Sequence, residues 1–184
     1  MSQQQLTVTQ HRIQDRILHR ILTTNTFVAM FSDVSPLCTF CEEHRETLTH
    51  LFVDCTKVQC IWKNIEDLIR TRLECSVRIT KKIIILGLSE TVFCKEINLA
   101  IQRIVLLGKY YIYKTKVRGG RINETNMRTY IDFFTKAEFS HVKDGSVEAG
   151  ADRVRVHKLL CLDSCPMPAG DRPLPAGLFA YADR

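Results

Sequence analysis

Eighteen residues from Cys38 to Cys55, CTFCEEHRETLTHLFVDC, hold three cysteines and two histidines. No other stretch constrains the folding of this chain as much. Cys38-x2-Cys41 can place two thiolates on one metal through a tight turn. His50 follows after eight intervening residues and Cys55 after four more. Three sulfurs and one imidazole are a common tetrahedral zinc set. The alternative is a few buried cysteines beside two surface histidines. A lone CxxC would leave that open, but four candidates at knuckle-like spacing favour Zn2+ held by Cys38, Cys41, His50 and Cys55. His44 is the rival histidine, yet it lies in EEHRE, the pattern of a solvated loop. Cys60 is the rival sulfur and reads better as a packing residue on the following helix. Five residues of α-helix rotate about 140°. His50 and Cys55 therefore cannot both face one metal from an undistorted helix. The spacing predicts a short helix from about Thr47 to Val53 that ends before Cys55, with Leu51 and Phe52 packed inward.

The rest of the chain sets the context for these thiols. MSQQQLTVTQHR has neither the apolar stretch nor the cleavage pattern of a secretory signal. IIILGLS, from Ile83, is far too short to span a bilayer. The expectation is an intracellular protein without a membrane partner, where clustered cysteines serve as metal ligands more often than as disulfides. The composition is 45% hydrophobic, enough for a packed core. It changes near Asp144. Four of the five prolines and four of the eight glycines lie beyond that point, with five basic and six acidic residues. Of the formal net charge of +6, the tail contributes −1 and the first 143 residues +7. Residues 1–143 read as a helical zinc-binding domain, with its zinc unit at about 36–73, and residues 144–184 as a low-order tail.

Apolar spacing in the first part is helical, so the fold class is mainly α. Ile13, Ile17, Leu18, Ile21 and Leu22 share one face between Thr9 and Leu22, with Arg12, Arg16 and Arg20 in a second row. A short helix is expected after TTN, through Phe27 to Phe31. Val58, Ile61, Trp62, Ile65, Leu68 and Ile69 give the same spacing after the cysteine cluster. A longer helix is predicted from about Phe93 to Val117. Its stripe, from Ile97 through Ile104 to Tyr111, is widened by Val105, Leu106 and Ile112, as in a heavily covered central helix. Gly119-Gly120 should end it, and another helix should run from Glu124 towards Val142. RITKKIIIL is the one strand candidate.

Three stretches carry a family likeness. ILHRILTTN, then SPLCTFCEEHRETLTHLFVDCTKVQCIWKNI, then LLGKYYIYKTK resemble the C-terminal region of LINE-type, non-LTR retrotransposon reverse transcriptases. That family carries a small zinc-binding domain after its polymerase. Cys38, Cys41, His50 and Cys55 match its metal-ligand positions, while Glu46-Thr47, His50-Leu51-Phe52 and Trp62 match the flanking framework. The likeness spans about residues 11 to 135. It implies a zinc-stabilised helical module that works beside RNA or DNA.

Polymerase chemistry is not expected. Two-metal nucleotidyl transfer needs a set of carboxylates; the polymerases that the chain resembles carry paired aspartates ahead of the zinc domain, whereas the terminal YADR offers a single Asp183 after it. Four protein ligands would also fill a zinc ion's coordination, leaving no position to activate water. What remains is binding. KYYIYKTKVRGGR, from Lys109 to Arg121, holds five basic residues, three tyrosines and no acid. Cations neutralise phosphates and tyrosines stack on unpaired bases. Arg12, Arg16, Lys109, Lys114, Lys116, Arg118 and Arg121 are accordingly the expected nucleic-acid contacts. A structural account competes with it, because tyrosines at helical spacing are often core and cations suit a helix C-terminus. The rival functional classes are a zinc-held module that docks on a polymerase or another protein, and a retrotransposon remnant with no selected function.

Overall fold

The structure is a computed structural model that describes residues 12–87 and 93–140, with the side chains of Glu96 and residues 137–140 left aside. The expected tail at 144–184, with Asp183, lies outside the described residues. So do the first turn of the N-terminal helix, which is predicted from Thr9, and the end of the last helix at Val142.

Among the described residues the chain is mostly helical and has no strand; one isolated antiparallel bridge pairs Leu37 with Arg45. The elements are α1 (residues 12–18), α2 (Asn25–Val28), a π-helical turn (His50–Asp54), α3 (Thr56–Leu73), α4 (Lys81–Leu86), α5 (Lys95–Val117) and α6 (Glu124–Ser140).

α5 is central. It packs on α3, α6 and α4, and residues 104–113 are buried on all sides. Its breadth of apolar residues is thereby explained. Ile61, Trp62, Ile65, Leu68 and Ile69 of α3 meet it in one continuous core. Gly108 makes room for α3: a Cβ there would lie 2.5 Å from Ile65 Cδ1 and 3.1 Å from Trp62 Cζ3. Any larger residue there would have to displace a buried side chain.

Two expectations fail here. The strand candidate folds as α4: the Thr80 hydroxyl accepts from Ile83 N, and Gly87 closes the turn in the left-handed region at φ 76°. Both ends are thus capped, and Ile83 and Ile84 reach the core. Tertiary burial overrides the strand preference of a β-branched run. The face predicted for α1 is also interrupted. Arg20 takes φ 56°, and the chain ends the helix with Arg20 N on Ile17 O and Ile21 N on Arg16 O. Those two bonds form a Schellman-type stop. Ile13, Ile17 and Leu22 are buried, but Leu18 and Ile21 turn to solvent.

Candidate metal centre and cationic surface

The cysteine loop is built by local hydrogen bonds. Glu46 N donates to Pro36 O and Cys38 N to His44 O, both at 2.8 Å, which brings Pro36–Cys38 alongside His44–Glu46. Between them Glu42 N donates to Cys38 O at 2.9 Å, and Glu42 turns the chain through the left-handed region at φ 58°. Cys38 and Cys41 end up on the same side of this turn.

His50 and Cys55 reach that point by a departure from α geometry. The backbone from His50 to Asp54 is a π turn, closed by Cys55 N on His50 O at 2.9 Å. A π turn takes one residue more than an α turn. The added residue removes the conflict between the five-residue spacing and a regular helix. The turn ends at Asp54, and Leu51 and Phe52 are fully buried, as the sequence predicts. Trp62 Nε1 donates to Phe52 O at 2.6 Å and ties the turn to α3.

The ligand atoms of Cys38, Cys41, His50 and Cys55 all lie within 4.8 Å of one another. Cys38 Sγ and Cys55 Sγ are 3.9 Å apart, and Cys41 Sγ is 3.3 Å from His50 Nε2. Zinc–sulfur bonds of about 2.3 Å at tetrahedral angles put two sulfurs about 3.8 Å apart. The spacing therefore fits one ion, and it is far too long for a disulfide. Cys38, His50 and Cys55 are buried and Cys41 is partly exposed. The two buried thiols are joined by a hydrogen bond. The Cys38 thiol donates to Cys55, which lowers the pKa of Cys55; the same hydrogen bond, then burial, raises that of Cys38. A metal cation in their midst would favour the thiolate at both.

A second group, Cys41, Glu43 and His44, uses the same Cys41 and is mostly exposed. His44 stacks on the His50 ring at 5.4 Å between centroids, at an angle of 28°. It thus lies over the cluster, as a neighbour of the buried imidazole. Cys60 is on α3 as expected but is exposed, not packed; its thiol donates to Thr56 O within the helix.

Behind the loop lies a residue that the sequence shows only as framework. The Glu46 side chain is fully buried. One oxygen accepts from Asn25 N at 2.8 Å, and the other from Thr39 N at 2.9 Å and Thr39 Oγ1 at 2.8 Å. Lys116 Nζ lies 3.2 Å from the first oxygen. One carboxylate thus joins the start of α2, the CxxC turn and the last turn of α5.

Two of the expected nucleic-acid contacts point inward. Lys116 is 9% exposed and faces Glu46. Lys109 is 1% exposed, and its ammonium donates to Gln14 Oε1. Burial lowers its pKa from 10.5 to about 8. Neither side chain is presented to a ligand on the surface. Both sit seven residues apart in a segment apolar on nearly all sides, which is the signal in the sequence for an inward stripe. Lys114, Arg118 and Arg121 behave differently. They line a hollow of about 220 Å³ between the end of α5 and the start of α6, together with Tyr111, Tyr130 and Phe133. Lys114 Nζ stands 4.9 Å from the centre of the Tyr130 ring. Among the described residues that line the hollow there is no carboxylate. Arg12 is exposed and Arg16 partly so, but both are on α1 and neither lines it.

Fold and site together define a helical module organised around a metal-binding Cys/His cluster. Residues 9–62 match a family described as zinc-binding in reverse transcriptase, a span that contains all four clustered residues. Zn2+ is the ion that this family and this donor set share. No curated protein and no solved structure matches the chain. No helix among the described residues is long and apolar enough to cross a membrane.

Proposed function

We propose that this chain is a non-catalytic module related to the zinc-binding region of LINE-type reverse transcriptases, that Cys38, Cys41, His50 and Cys55 form a CCHC knuckle, and that it binds RNA or DNA. The observation that carries the binding is the hollow at the end of α5, where Lys114, Arg118 and Arg121 gather beside aromatic rings. Such a surface attracts phosphate and offers a face for an unpaired base. A four-ligand knuckle leaves zinc no open position, so its role is to hold the loop.

Replacing Lys114, Arg118 and Arg121 together by Gln should weaken binding and keep zinc. On a single strand each lost phosphate contact lowers the salt slope by about 0.7, so the triple variant should lose about 2. An unchanged affinity at every salt concentration, in a folded variant, would remove this proposal.

One feature favours a second function, docking on a protein. Met30 is 71% and Phe31 78% exposed, and Phe27 and Val34 are exposed beside them in the sequence. Binding through such residues would persist at high salt, where phosphate binding fades.

A further inference from the structure

The hollow at the end of α5 has a shape as well as a charge. Its volume of about 220 Å³ falls below the roughly 300 Å³ at which pockets for whole small ligands begin. It suits one flat group, not a stack of them. Its walls are of two kinds. Arg118 and Arg121 bring exposed guanidinium groups from the helix end and the following turn. Tyr111, Tyr130 and Phe133 bring rings.

The rings are held firmly. Tyr111 OH donates to Asn123 O at 2.9 Å and accepts from Asn123 N at 3.2 Å, which joins the end of α5 to the start of α6. Tyr130 packs on Phe134 at 4.5 Å between centroids, with the Lys114 ammonium over its ring. Phe133 meets Phe134 edge-on and is only partly buried, so it is the ring best placed to receive a further one. Asn126 and Thr129 also line the space. The Thr129 hydroxyl donates to Thr125 O and keeps its lone pairs for another donor.

We propose that this hollow seats one unstacked nucleotide of a single strand, its base against Phe133 and its phosphate towards Arg118 and Arg121. The proposal rests on the nucleic-acid function above and adds a selectivity to it. A base paired in a duplex stays stacked between its neighbours and cannot enter, whereas a flexible strand can turn one base out at small cost. Phosphate contacts alone would not separate the two forms in this way.

The test compares three probes on the zinc-loaded chain by fluorescence anisotropy: a short single strand, the blunt duplex of the same sequence, and the same strand made abasic throughout. One seated base contributes about 1–3 kcal/mol, or about 5- to 150-fold. The intact strand should therefore bind at least about fivefold more tightly than the abasic strand or the duplex. Thr129→Trp fills the hollow and removes no charge. It should lower single-strand affinity about tenfold, leave duplex affinity unchanged and retain zinc. If that variant does not fold, the abasic comparison on the parent chain decides alone. Equal affinity for intact and abasic strands, with a normal salt slope, overturns the pocket and leaves the nucleic-acid function standing. Absence of binding to all three probes overturns that function and the pocket with it.

Discussion

From Thr24 to Cys55 the backbone is held mainly by polar devices; from Thr56 to Thr135 it is held by apolar burial. The first region has two short helical pieces, exposed Phe27, Met30 and Phe31, and a core limited to Leu51, Phe52 and two of the clustered thiols. Its order comes from the Thr24 cap, the hydrogen bonds of the CxxC turn, Glu46 and the four clustered residues. The second region has α3 and α6 packed on α5 and rests mainly on their shared apolar core, with polar contacts confined largely to helix ends. Small irregular segments cannot bury enough surface to offset their conformational entropy, so a metal takes over that role. The two regions meet at Trp62 and at the Glu46–Lys116 pair.

Removing the metal should give the largest effect and split the regions. Structural zinc contributes on the order of 10 kcal/mol. Cys41→Ser, or chelation of the parent, should release one zinc per chain and expose the amides of residues 36–55 to hydrogen exchange. The helical signal of α3, α5 and α6 should largely survive in circular dichroism. Complete loss of that signal on chelation would show one cooperative unit and end the comparison. His44→Ala should retain zinc, since His44 stacks on the cluster without completing it. Affinity for the ion should fall on acidification, because the thiolates and imidazole must shed protons to bind.

A smaller effect should come from the contact between the regions. Glu46→Gln keeps the shape of the side chain but leaves the Lys116 ammonium buried without a counter-charge. Losing one partner of a buried pair costs about 3–5 kcal/mol. Adding Lys116→Met should restore part of that stability in denaturant titrations, since the stranded charge is then gone. If Glu46→Gln alone is neutral, the carboxylate does not join the two regions.

The smallest effect has the opposite sign and belongs to the helical region. Lys109 has a folded pKa of about 8 against an ordinary 10.5. The unfolded chain therefore binds this proton more readily, and the parent should gain stability as pH rises from about 8 to 10.5. Below that window the buried charge costs up to about 3 kcal/mol. Lys109→Met should stabilise the fold at pH 7 by about 2 kcal/mol, after allowing for the partner lost by Gln14. That advantage should vanish by about pH 10.5. Urea melts at pH 7 and pH 10 measure both points.

The four clustered residues and the long helices were legible because each follows from local spacing. Cys38-x2-Cys41 needs only a turn, and Ile61, Trp62, Ile65, Leu68 and Ile69 need only a helix. The His50–Cys55 spacing announced a conflict with α geometry, but not that a π turn would resolve it. The helical state of Lys81–Leu86 was hidden because its side-chain preferences pointed the other way and its caps are single residues. The burial of Lys109 and Lys116 was hidden for another reason. Their partners, Gln14 and Glu46, lie far away in the chain, so only the folded arrangement shows which cations are already spoken for.

The Glu46–Lys116 pair also fixes a phase. Each residue of α5 advances about 100° around the helix axis. Lys109 and Lys116 therefore fall within about 20° of one meridian. Lys114 and Arg118 each stand about 160° away from Lys116, nearly on the opposite side. Anchoring the inner meridian against Gln14 and Glu46 aims the outer one at α6. A single residue inserted between Lys109 and Lys116 would turn the last stretch of α5 by about 100°. The helix would then have to give up either its seat on Glu46 or the direction of its outward cations.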